Sequence, residues 1–151
     1  MPRITTIIDE LVTQLETIKI PSYAATVGQI DRYDVPVMEA DQVIYPHISI
    51  IDNGNEVQRV DKDLNSFTRF DWEVIFRCTT KADTMNEIYS ELAKIESSVK
   101  QLIDSEPTIT NVLQWRLIEL VDRLFIPTSQ VFLGAATLRT RIIYTAGSAA
   151  F

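Results

Sequence analysis

From Phe67 to Cys78 apolar and polar residues alternate, and after a short polar break the chain changes to a helical period that lasts to Ile103. Alternation puts successive side chains on opposite faces of a strand, whereas repeats at three and four put them along one stripe of a helix. A strand with one apolar face followed by a helix with one apolar stripe has a simple solution: the two surfaces bury each other. Phe70, Trp72, Val74, Phe76 and Cys78 share the apolar face, while Arg69, Asp71, Glu73 and Arg77 share a face left to water or to a neighbour. Thr84-Met-Asn-Glu87 has the spacing of a capping box, and Met85, Ile88, Tyr89, Leu92, Ile95, Val99, Leu102 and Ile103 form the stripe after it. Pro107 ends it.

The flanking segments supply the rest of a fold. Ile4, Ile7, Ile8, Leu11, Leu15 and Ile18 recur at helical spacing, with Thr5 or Thr6 as the expected cap and Pro21 as the stop. Thr26 to Asp31 suits a short strand, and the stretch to Asp41 reads as an irregular crossing. Val43 to Ile51 is β-branched and bounded by Asn53-Gly54, a pair suited to a tight turn, so Val57 to Asp61 is expected to return antiparallel to it. The apolar residues of Val112 to Leu124 fit either a buried strand or a short helix; a strand around Trp115 to Val121 is the preferred reading. Val131 to Tyr144 closes the sheet, with Ala136, Leu138, Thr140, Ile142 and Tyr144 alternating with Arg139 and Arg141. Residues 145–151 read as a loose tail. The expected architecture is one α+β domain spanning residues 1–151, a mixed, largely antiparallel sheet flanked by two long amphipathic helices.

Charge and cysteine usage narrow the chemistry. Fourteen basic against 21 acidic residues give a net charge of -7, which argues against a nucleic-acid grip and suits a surface that nucleic acid passes without sticking. The N-terminus lacks the basic start and apolar core of a secretory signal, and no run is long enough to span a bilayer, so a soluble intracellular protein is expected, with no membrane partner. Cys78 is the only cysteine, which excludes an internal disulfide and every multi-cysteine zinc pattern.

No catalytic set assembles from the remaining candidates. Cys78 and His47 could serve as nucleophile and base, but Cys78 is in phase with Trp72, Val74 and Phe76, where a small core hydrophobe belongs, and His47 reads as hydrogen-bonded or interfacial. The four glycines form neither a dinucleotide fingerprint nor a phosphate loop, so no cofactor is expected. Asp61-Lys-Asp63 lacks the glycine and distal glutamate of a calcium loop. Glu87, Glu91 and Glu96 mark a polar helix surface, not an acid or base. Arg59, Asp61, Lys62, Asp63 and Arg69 interleave opposite charges around a hairpin end, a poor phosphate patch and a reasonable protein-docking surface.

The order and size of these elements resemble the tail-terminator proteins of long-tailed bacteriophages, minor tail proteins that cap the finished tail tube. The resemblance is carried by the helix Ile4 to Ile18, the strand Ile44-Tyr-Pro-His-Ile-Ser-Ile50 with its Asn53-Gly54 turn, and the strand through Trp72. It continues through the helix Met85 to Ile103 and the closing Leu138-Arg-Thr-Arg-Ile-Ile-Tyr144. It implies a small subunit in a hexameric ring that stops tube polymerisation, bound by the tail tube protein on one side and the head-tail connector on the other. It also implies a virion protein of the tail-neck region, assembled in the host cytoplasm, with DNA passing through the ring and no catalytic residue. Two alternatives stand beside it: another neck or tail-completion protein, and a small α+β ligand-binding regulatory domain.

Overall fold

A computed structural model describes residues 2–35, 43–53, 57–60, 67–128 and 131–147. Among them the chain runs α1 (Pro2–Leu15), β1 (Gln29–Asp31), β2 (His47–Asp52), β3 (Val57–Val60), β4 (Phe67–Ala82), α2 (Met85–Asp104), β5 (Val112–Pro127) and β6 (Phe132–Gly147). The strands form one mixed sheet in the order β1-β2-β4-β6-β5, with β3 paired to β4 off that path. Only β1 and β2 run parallel; every other pairing among the described residues is antiparallel. The described residues are α+β, one mixed sheet with two helices.

β4 is the organising strand. Its even-numbered residues Trp72, Val74, Phe76 and Cys78 are at most 1% exposed, as the alternation requires. In register beside them stand Ile48 and Ile50 of β2 and Leu138 and Ile142 of β6, with Tyr144 beside Phe70. The stripe of α2 closes over this face with Leu92, Ile95, Val99, Leu102 and Ile103. Ile7, Leu11 and Leu15 of α1 join the same core. Both helices therefore feed one side of the sheet, and they do not sandwich it. Each large aliphatic side chain buried here contributes roughly 1.5–3 kcal/mol.

Several local features differ from the sequence reading, each for a physical reason. α1 begins at Pro2, so Thr5 and Thr6 lie inside the helix and do not cap it. Proline is at home in a first turn because the N–H it lacks would have no helical partner there. The helix stops at Leu15, well before Pro21: Thr17 N–H donates to Gln14 O at 3.0 Å and Ile18 N–H to Leu15 O at 3.1 Å, so the last turn tightens and returns Ile18 to the core. β2 starts at His47, after Pro46, which has no N–H for a ladder.

β3 does not return along β2. It pairs with the first residues of β4, Val57 opposite Asp71 and Val60 opposite Thr68, while β2 takes the later residues from Val74 to Thr79. The sixteen-residue β4 is long enough for β2 and β3 to lie end to end along one side of it. Gly54, and with it the second half of the expected Asn53-Gly54 turn, lies outside the described residues. At the other end, Thr145 to Gly147 are strand and not tail, because they pair with Arg69 to Phe67; residues 148–151 lie outside the described residues.

Candidate functional site

The face of the sheet turned away from both helices holds most of the polar chemistry. The odd-numbered residues of β4 and β6 share it, and Glu73 stands opposite Arg141 in the register, Ile75 opposite Arg139, Arg77 opposite Thr137. Arg139 lies between two carboxylates, its Nε 3.2 Å from Glu73 Oε1 and its Nη2 3.2 Å from Glu119 Oε1. The Nε contact lacks hydrogen-bond alignment, so that pair is an ionic contact alone. Asn53 donates to the other oxygen of Glu73, and Arg77 pairs with Asp34 from the segment after β1. The Val35 N–H donates to Ser49 Oγ at 3.2 Å, so this segment folds back over the β2 end of the face. The result is a row of interleaved charges across three strands, backed by the packed core.

Of the docking residues expected from sequence, Asp61, Lys62 and Asp63 lie outside the described residues. Arg59 and Arg69 are directly opposite each other in the β3–β4 register. Arg69 is not the freely solvated charge that its place in the sequence suggests. Its Nε donates to Asp71 Oδ1 at 3.4 Å, and Asp71 is only 8% exposed. Arg69 thus also balances a carboxylate held in the sheet.

His47 and Cys78 are separated by the sheet itself. Ile48 is the register partner of Cys78, and His47 that of Thr79, so the two side chains belong to opposite faces. Burial, reinforced by the nearby Glu96 carboxylate, pushes the Cys78 thiol up to about 12, which keeps it protonated and unreactive. His47, 2% exposed, holds Asp31 Oδ2 through Nε2 at 2.7 Å, and Gln29 Nε2 donates to the same oxygen at 2.8 Å. Ser49 shares this face, but its Oγ accepts the Val35 N–H and it is 1% exposed. A serine, a histidine and an aspartate therefore lie near one another, the first two buried in the sheet. The group fastens β1 to β2. Sequence alone does not reveal Asp31 as the histidine's partner, because a parallel pairing across a long connection leaves no local signal.

A cleft of about 900 Å³ opens where the end of α2 meets the start of β5, bordered by Lys100, Asp104, Glu106, Trp115, Arg116 and Arg69. Its lining mixes both signs of charge with apolar surface. Among the described residues no three His, Cys, Asp or Glu side chains converge as metal ligands, and no helix is long and apolar enough to cross a membrane. No protein-family model matches the chain, and no curated protein matches it.

Proposed function

We propose that the chain is a structural subunit of a bacteriophage tail terminator: a protein that forms a ring on the end of the tail tube, stops its polymerisation and presents a surface to the head-tail connector. The observation that carries this reading is the helix-free sheet face with its row Glu73, Arg139 and Glu119. Alternating charges on a hydrogen-bonded sheet select a partner and fix its register. The order of elements, in which the tail-terminator resemblance lies, supports the same reading. The role calls on no enzymatic activity and no cofactor.

The test is electron microscopy of the purified protein alone and mixed with purified tail tubes. Rings of uniform diameter that sit on tube ends, and tubes that cease to lengthen once capped, are the expected outcome. Binding to the portal side of a head in place of tube ends would make it a neck protein of another kind. A second reading, a ligand-binding regulatory domain, is favoured by the cleft beside Trp115 and Arg116. A thermal-shift screen of small anionic and amphipathic molecules addresses it, since a true ligand raises the melting temperature in a concentration-dependent way.

A further inference from the structure

Arg116 and Arg141 are directly opposite each other in the β5–β6 register, on the sheet face turned away from the helices, and both are exposed. β5 slips against β6 at three bulges, at Leu113, Ile118 and Val121, and the stretch Gln114 to Leu117 between the first two pairs regularly. Cβ atoms at such paired positions stand about 4.5–5.5 Å apart, and like charges placed there repel. The neighbouring arginines of this face are each answered by a carboxylate: Arg69 by Asp71, Arg77 by Asp34, Arg139 by Glu73 and Glu119. Among the described residues the side chains of Arg116 and Arg141 have neither a carboxylate partner nor a hydrogen bond. Glu73, in register with Arg141, already has Arg139 against one oxygen and Asn53 against the other. A chain with a net charge of -7 thus keeps two unpaired guanidinium groups side by side.

The pair adjoins a space of ligand size. Arg116 lines the cleft of about 900 Å³ at the start of β5, together with Lys100, Gln114, Leu117 and Ile118; Arg141 stands beside it, outside that lining. Small-molecule sites occupy roughly 300–1,000 Å³ and combine apolar walls with a few polar groups. Arg69 also borders the cleft, but Asp71 balances its charge. Asp104 and Glu106, from the end of α2 and the turn after it, line the cleft as well and repel an anion that would fill it from end to end. An anionic group is therefore held at the arginine end, with the uncharged remainder of its molecule in the cleft.

We infer that Arg116 and Arg141 together hold the phosphate group of a small phosphomonoester whose body lies in this cleft. The charge selects the class. A guanidinium meets a two-oxygen anion through one fork of N–H groups, so a single carboxylate satisfies a single arginine. A phosphomonoester carries a charge of about -1.5 to -2 at neutral pH and three terminal oxygens, enough to accept from two arginines at once. A nucleic-acid phosphodiester carries one charge, and the acidic chain repels the rest of such a polyanion. The inference rests on the ligand-binding reading of the cleft and is independent of tube capping.

Phenyl phosphate is the probe, compared with inorganic phosphate and benzoate by titration calorimetry at constant ionic strength. The intact chain should bind phenyl phosphate at least tenfold more tightly than inorganic phosphate, which has no body for the cleft, and at least tenfold more tightly than benzoate, which serves only one fork. Arg116→Gln and Arg141→Gln should each weaken phenyl phosphate binding at least tenfold, while Arg116→Lys and Arg141→Lys, which keep the charge but lose the fork, should fall in between. Lys94→Gln, an exposed cation of α2, should bind like the parent. Without ligand the glutamine variants should melt no lower than the parent, because each removes a repulsion and no contact. Binding should tighten as the pH rises through the second phosphate pKa, about 6. A parent that does not bind phenyl phosphate, a glutamine variant that binds it like the parent, or inorganic phosphate or benzoate bound as tightly as phenyl phosphate would each overturn the inference. A different small molecule that stabilises the parent and both glutamine variants alike would leave the ligand-binding reading standing and remove the phosphate from it.

Discussion

The Trp72 indole N–H donates to Asp52 Oδ1 at 2.8 Å, so this fully buried tryptophan is anchored at its polar end to the last residue of β2. Trp72 is 1% exposed and meets Tyr144 edge-on, with ring centroids 6.4 Å apart. Trp72→Ala should therefore lower the unfolding free energy by about 3–5 kcal/mol. Trp72→Phe keeps an aromatic ring but loses the hydrogen bond and some volume, and a loss of about 1–3 kcal/mol is expected. Urea denaturation of the three proteins checks the order; a Trp72→Ala midpoint equal to the parent's would show that the seam does not hold the fold.

Thr84 is the N-cap of α2, its hydroxyl accepting the Glu87 N–H at 3.2 Å. Thr84→Ala should cost about 1 kcal/mol and Thr84→Ser very little, because only the first leaves that amide without its side-chain acceptor. Equal melting temperatures for the alanine and serine variants would count against the cap.

This cap and the core seam are legible in the sequence because both signals are local: four consecutive residues specify the first, and an unbroken period of two specifies β4. β5 shows what the same reasoning does not resolve. Its helix-facing residues are Val112, Trp115, Leu117, Leu120, Arg123 and Phe125 by register, and the three bulges stretch their spacing to mostly three. A bulged strand thus imitates a helical stripe, which is why that segment reads either way. The same slips hide Glu119 as a partner of Arg139, since each extra residue moves the rest of the strand to the other face. The partner of β3 escapes the sequence for a different reason. A turn signal identifies where the chain bends, but not which strand has an open edge long enough to receive it.

Cys78 predicts a pH dependence. An accessible thiol titrates near 9.0, whereas burial raises this one to about 12. The folded form thus keeps its proton where the unfolded form loses it. The stabilisation is complete below pH 9 and is lost as the pH climbs from about 9 towards about 12. Between pH 9 and 10 the parent should lose on the order of 1 kcal/mol more than Cys78→Ala. Urea titrations at both pH values give the comparison, and parallel losses would place the thiol in contact with water.

Gly134 lies where β6 passes under α2. A Cβ built there would stand 3.0 Å from Ile88 Cγ1 and 3.3 Å from Ile88 Cδ1. Ile88 is itself 0% exposed, so it has little room to turn away. Gly134→Ala should destabilise by about 1–3 kcal/mol through overpacking, and Gly134→Ala combined with Ile88→Val should recover part of that loss. Additive losses in the double variant would place the strain elsewhere.

Arg69 and Lys62 read in the sequence as one docking end, and in the structure Arg69 also contacts Asp71. Asp71 is buried within the sheet, and the Arg69 Nε lies 3.4 Å from its Oδ1. Arg69→Glu replaces that cation with a second carboxylate beside the buried Asp71, and setting a like charge against a buried carboxylate costs more than removing a solvated charge. A loss of about 1–3 kcal/mol is expected, with Arg69→Lys retaining most of the stability. On the tail-terminator proposal, Lys62→Glu, changed on its own, should alter stability by about 0.5 kcal/mol or less and weaken attachment to tube ends. Thermal unfolding and a tube-end binding assay on each variant distinguish the two roles. If Arg69→Glu is as stable as the parent, the contact with Asp71 is inconsequential, and if Lys62→Glu binds tube ends normally, that hairpin end takes no part in docking.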